Sequence, residues 1–122
     1  MVDRWMRFEQ GGEEDRGFSM RGFCPGDSLW FKGHFPEKGI LPGVAMLMLA
    51  KEAIRAWADL RGIDVEISGF SRVRFKGLVF PDSTLEVYVT SSEDFSKFHF
   101  EIKSEENVVC TGRAGEHQPA TQ

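Results

Sequence analysis

The chain has 122 residues, 41% hydrophobic and 28% charged, with eleven Phe and a net charge of −4. That composition supports one packed core of modest size. The acidic balance argues against a general nucleic-acid binder, whose surface carries a basic field.

Neither of the two cysteines, Cys24 and Cys110, has metal-type spacing. Reduced, buried or half-buried thiols are expected, with no metal site. No Gly-rich phosphate loop is present, and no cofactor is expected. The N-terminal MVDRWMRFEQ lacks the apolar stretch of a signal peptide. The longest apolar run, Ile40 to Ala50, is about half of the roughly 20 residues that a membrane span requires. A cytoplasmic protein with one domain over 1–122 is therefore expected, with 1–17 poorly defined and 115–122 a frayed tail.

Residues 2–9 alternate weakly and fit a short strand or a helical turn. QGGEEDRG, 10–17, reads as a loop. Phe18 to Phe23 reads as a strand, CPGD (24–27) as a turn, and Ser28 to Lys32 as a second extended piece. Gly33 to Leu41 is loop. A helix is predicted from Pro42-Gly43 to about Leu60, with proline in the first turn and Gly62 as the residue that ends it. Every residue from Val44 to Ala50 is apolar, and Glu52, Arg55 and Asp59 then mark one narrow polar stripe. A helix this apolar needs cover on nearly every side.

Four strand-like runs follow. Ile67 to Phe80 alternates, with Ser71, Val73 and Phe75 on one face and Arg72, Arg74 and Lys76 on the other. PDST (81–84) is a turn. Thr84 to Thr90 and Phe95 to Lys103 alternate cleanly, SEEN (104–107) is a hairpin turn, and Val108 to Gly112 closes the set, with a frayed tail from Gly112. Strands segregated around one helix give an α+β fold, a curved antiparallel sheet wrapped on that helix. One sheet covers one side only, so a second subunit is expected on the other.

The stretch GHFPEKGILPGVAMLM, Gly33 to Met48, resembles the pattern GHFPGxPxxPGVxxxE of the hydroxyacyl-acyl-carrier-protein dehydratases, which have the hotdog fold. The resemblance extends over about 20–114, through GFSRVRFKGLVFPDSTLEVYV and KFHFEIKSEENVVCTGRA. It implies that His34 is the base that removes the α-proton of a 3-hydroxyacyl thioester. It implies that the backbone N–H of Gly43 stabilises the enolate oxygen, as an oxyanion hole does. Phe35, Pro36, Leu41 and Val44 correspond to substrate-contacting positions. The family's helix acid, supplied across a dimer interface, falls at Met48, which donates no proton.

Glu37 and Gly39 depart from the family pattern in the same loop. Met48 reads as a core residue or as part of an acyl tunnel. Glu52, one turn further along the stripe, is the other acid within reach. Arg72, Arg74 and Lys76 read either as a solvated face paired with Glu86 and Glu101 or as a landing patch for an acidic carrier protein. Asp27, His99 and His117 have no constellation around them.

The expected function is dehydration or binding of 3-hydroxyacyl thioesters, carried by acyl carrier protein or coenzyme A. A hotdog thioesterase and a non-catalytic subunit of a mixed dimer are the alternatives. A homodimer or a heterodimer with an acid-bearing chain is expected.

Overall fold

The structure, a computed structural model, describes residues 7–14, 16–25, 41 and 43–115. Expectations for 1–6, 26–40 and 116–122, including those for His34, Phe35 and Pro36, lie outside the described residues.

Six strands and one helix follow in the order β1 (Arg7–Glu14), β2 (Gly17–Cys24), α1 (Gly43–Arg61), β3 (Gly69–Phe75), β4 (Ser83–Ser91), β5 (Lys97–Ser104) and β6 (Asn107–Gly115). The strands form one antiparallel sheet in the order β1-β2-β4-β5-β6-β3. This is the α+β arrangement that the sequence pattern predicts.

The helix buries Ala45, Met46, Leu49, Ala50, Ala53, Ile54, Trp57 and Ala58. The alanines let the sheet come close, and the large residues fill the space between them. It packs against β1, β2, β4 and β5. Its first residue, Gly43, also meets Phe75 of β3. The inner sheet face supplies Leu85, Val87 and Val89 from β4 and Phe98, Phe100 and Ile102 from β5, all buried. Gly62, at φ 70°, ends the helix in the left-handed conformation that glycine adopts without a steric penalty.

At the far end of the helix, Trp57 stacks on Phe18 and meets Phe95 edge-on, with centroids 6.1 and 5.0 Å apart. Its indole N–H donates to Glu13 Oε2 at 2.7 Å, and Arg61 Nε–H donates to the same oxygen at 3.0 Å. This node ties edge strand β1 to the helix.

Several sequence-based expectations are corrected. The segment 10–17 is not a loop, because β1 runs through both glycines to Glu14. The register shifts between Glu9 and Gly12, and a Cβ on Gly11 would stand 2.4 Å from the Ser19 carbonyl oxygen. The glycines thus permit a bulge in a strand rather than interrupting one. Gly112 to Gly115 belong to β6 rather than to a frayed tail. Phe95, though buried, precedes β5 at φ 57°.

Strand β3 is shorter than the alternating run and carries a bulge: Ser71 pairs with Arg113 and Arg74 with Thr111. Two residues, Arg72 and Val73, therefore oppose one, and Arg72 takes φ 52°. Ser71 thereby moves onto the face of Arg74, so the uninterrupted basic row expected from the alternation does not form. The row's expected ion-pair partner Glu86 instead meets Arg21, at 3.3 Å.

Candidate active site

The helix begins at Gly43, directly after the HFP…LP loop. Its first-turn N–H groups have no intrahelical acceptors and carry the positive end of the helix dipole. A Cβ on Gly43 would lie 2.7 Å from Cζ and 2.9 Å from Cε1 of Phe75. Only a glycine admits that ring against the helix start. Strand β3 thus places Phe75 on the helix N-terminus, although the two residues are far apart in sequence.

The described residues that flank 26–40 in sequence are both held on a single segment. Leu41 N–H donates to the Val79 carbonyl at 2.9 Å, and Asp82 N–H donates to the Cys24 carbonyl at 2.7 Å. Lys76 N–H reaches the Val109 carbonyl at 2.8 Å and continues the β3–β6 pairing past Phe75. Cys24 and Leu41 therefore both lie beside the segment 79–82. Leu41 is itself a core residue, so its backbone bonds to that segment while its side chain packs inward.

Met48 is not a core residue in the protomer: it is 39% exposed. Val44, one turn earlier on the same helical face, is exposed as well, and so are Phe75, Leu78 and Phe80. These five side chains surround the helix start and leave an apolar surface uncovered. Glu52, half-buried, lies one turn beyond Met48. It lines a groove of about 490 Å³ against Phe8, Phe18 and Met20, together with Asp59. Of the basic residues, Arg72, Arg74 and Lys76 are all exposed.

Cys24 and Cys110 are buried and unbridged. Burial pushes their thiols up to about 12 and about 11, away from the nucleophilic thiolate. Among the described residues no three His, Cys, Asp or Glu side chains gather to hold a metal. No described helix is long and apolar enough to cross a membrane.

Sequence reasoning missed one feature of this site and one outside it. The Phe75–Gly43 contact has no local signature, because it joins the end of a strand to the start of a helix. His99, which had no apparent partners, lies beside Arg113 and Thr90 across the sheet.

The comparisons with known proteins agree with this architecture. The 3-hydroxyacyl-[acyl-carrier-protein] dehydratase FabZ of Clostridium beijerinckii is 35% identical over 66 residues, 51% of this chain and 46% of that protein. Its counterpart in Idiomarina loihiensis is 33% identical over 95 residues, 66% of this chain and 60% of that protein. The chain thus spans about half to three fifths of the length of these relatives. Among solved structures, the dehydratase heterocomplex ApeI:P from Xenorhabdus doucetiae superimposes with a TM-score of 0.65 at 20% identity, covering 88% of this chain and 94% of that one. The open antiparallel sheet around one helix is the hotdog fold. The family model described as ApeI-like, ApeI dehydratase, matches residues 10–113, and the chain belongs to that family.

Proposed function

We propose that this chain is one subunit of a dimeric hotdog dehydratase acting on 3-hydroxyacyl thioesters, with its acid supplied by a partner chain. The observation that carries this reading is the uncovered apolar surface around Gly43, in which Met48 stands where the family pattern has its acid. In the proposed reaction His34 takes the α-proton. The Gly43 N–H holds the developing enolate oxygen. The C–O bond to the β-hydroxyl then breaks, and a carboxylic acid must protonate the departing oxygen to release water. Met48 has no proton to give, so a site made from two copies of this chain lacks that step.

The mixed dimer supplies it. His34 and Gly43 of this chain would face the carboxylic acid of an acid-bearing hotdog partner. The solved relative described as a dehydratase heterocomplex supports pairing of this kind. Strand β3 is an edge of the sheet, and free strand edges invite pairing with another chain. The exposed Phe75 lies on that edge, against the helix start that carries the exposed Val44 and Met48. Arg72, Arg74 and Lys76 on that edge suit an acidic acyl carrier protein as the bearer of the thioester.

The test is an assay of 3-hydroxyacyl thioester dehydration by the chain alone, by its Met48→Glu variant, and by the chain co-expressed with an acid-bearing hotdog protein. A positioned general acid is worth about 10²- to 10⁴-fold in rate. The expected result is weak activity alone, a gain of that order in both other arms, and its loss with His34→Ala. Full activity of the wild-type chain by itself, or a mixed dimer indifferent to His34→Ala, overturns the reading.

A further inference from the structure

We propose that the cleft at the start of β3 is a binding site for a phosphate-bearing small molecule, at the opposite end of that strand from Gly43 and Phe75. The cleft is an open one of about 700 Å³ along the ends of β3, β4, β5 and β6. From Gly69 to Phe75 is roughly 20 Å of strand, so this site is remote from the helix start within the protomer.

The sheet register builds the site. Thr90 pairs with His99, His99 with Arg113, and Arg113 with Ser71. These four side chains form one polar row across four strands, on the face opposite Phe98 and Phe100. The bulge at Arg72 and Val73 completes it, since without that extra residue Ser71 would point to the other face. Lys97, two residues before His99, adds a second fixed cation to the lining. No carboxylate lines the cleft. In a chain of net charge −4 that is a local reversal of sign.

The cations are also unengaged: among the described residues, Lys97, His99 and Arg113 form no salt bridge. The nearby carboxylate of Asp94 is occupied by the Ser92 and Ser96 hydroxyls, each at 2.7 Å. Glu101 lies one row further along the sheet, opposite Thr111.

Two cations, an imidazole and hydroxyl donors converging without an acid are the donor set that a phosphate or pyrophosphate group takes. Phe70 pairs with Ala114 and meets Phe100 edge-on at 6.0 Å on the core face, so the cations stand on the solvent face of the sheet. A donor set confined to four adjacent strand ends suits a compact phosphate group over the broad contact that an acidic protein surface would make. Binding here would stand whether or not the chain is a dehydratase.

The experiment titrates the full chain with inorganic pyrophosphate and with adenosine diphosphate, following backbone amide shifts by NMR. The expected result is saturable shifts at 69–71, 90–92, 97–99 and 113–115, at concentrations of about 1 mM or below. Arg113→Gln and, separately, Lys97→Gln should each weaken binding about tenfold. Lys103→Gln, on the same strand but outside the cleft, should leave it unchanged. Adenosine diphosphate should bind no more tightly than pyrophosphate, because the cations contact only the phosphates. Shifts that do not saturate, equal weakening by Lys103→Gln, or binding of a glutamate-rich peptide but not pyrophosphate would overturn the proposal. In the last case the face is a docking surface for an acidic protein.

Discussion

Two glycines in this chain face a phenylalanine ring at the same distance, and their substitution by alanine should have opposite consequences. A Cβ on Gly112 would lie 2.7 Å from Cζ and 3.1 Å from Cε2 of Phe100, and 3.2 Å from Cγ2 of Val73. A Cβ on Gly43 would lie 2.7 Å from Cζ of Phe75. Carbon atoms rest at about 3.5–4.0 Å, so each ring must retreat by roughly an ångström. Phe100 is fully buried and meets Phe70 edge-on, and Val73 crowds the same Cβ. Phe75 is 51% exposed and free to swing outward. Overpacking a closed core costs about 1–3 kcal/mol. Replacing a strand glycine returns about 0.5–1 kcal/mol of backbone entropy. Gly112→Ala should therefore destabilise by about 1–2 kcal/mol, with Tm falling by roughly 4–8 °C. Gly43→Ala should change stability by less than about 1 kcal/mol, because the ring moves cheaply and a helix start tolerates alanine. Urea and thermal unfolding of both variants, and of Gly112→Ala combined with Phe100→Leu, decide the matter. The smaller side chain should rescue part of the loss. Equal effects of the two glycine substitutions, or no rescue, would show that ring confinement does not set the cost. Because Gly43→Ala is expected to fold, loss of dehydration in that variant would report on the site and not on stability.

Three other outcomes are expected. The Trp57 indole and the Arg61 guanidinium, in that order, hold the Glu13 carboxyl below its usual range. Its contribution to stability is present above the unfolded carboxyl value of about 4.3 and is lost as pH falls through the lower folded one. The urea midpoint should fall on acidification, and less so in Glu13→Gln; identical pH profiles would exclude this role. The thiols behave in the opposite sense: Cys24 at about 12 and Cys110 at about 11 stay neutral in the fold while unfolded thiols ionise near about 8.5. Stability should decline above that pH, and a disulfide reagent at about pH 8 should react only after urea is added; rapid labelling of the native protein would contradict the burial. Glu105 and Glu106, at φ 51° and 73°, form a two-residue hairpin turn of the type that favours Asn-Gly. The double change Glu105→Asn, Glu106→Gly should raise stability by about 1 kcal/mol, measured as a higher Tm, and a lower one would exclude strain at this turn.

The helix was legible because its apolar run, its proline start and Gly62 are all local signals. Strands β4 and β5 were legible because a sheet with one buried face enforces alternation, as in Leu85, Val87 and Val89. Strand β1 was not, because edge position and a bulge relax that requirement. Glu9, Glu13 and Glu14 are solvated on it, and Gly11 admits the Ser19 carbonyl, so the segment carries the composition of a loop. The β3 bulge was hidden for the opposite reason. RVRFK keeps its alternation in sequence while the backbone uses one residue, Arg72, for a left-handed step. Which residues face His99 is a matter of register across four strands, and register is fixed by the turns and bulges rather than by the residues facing each other. The motif proposes His34 and Gly43 as the family's base and oxyanion donor. The neighbours of Gly43, Leu41 and Cys24 carried no such signal, because Phe75, Val79 and Asp82 reach them from the other side of the helix in sequence.

Met48 shows why the missing acid and the uncovered surface belong to one problem. Alone in water, a helix position that is 39% exposed gains little from a methionine. Covered by another chain, the same side chain removes its remaining apolar area from water and adapts its shape to an irregular neighbour. An acid at that position would have to be hydrogen-bonded or paired once covered, and would otherwise weaken the interface. On the proposed reading, methionine gives up proton donation in favour of adhesion, and only at the site to which this helix would contribute. In the proposed mixed dimer the other site, built on His34 and Gly43 of this chain, would not use Met48. Met48→Glu should accordingly weaken association of the chain with itself even as it supplies the acid. Sedimentation and dehydration measured on one preparation should move in opposite directions. A variant that gained activity with unchanged association would place Met48 outside the interface, and its exposure in the protomer would then need a cause other than a missing partner.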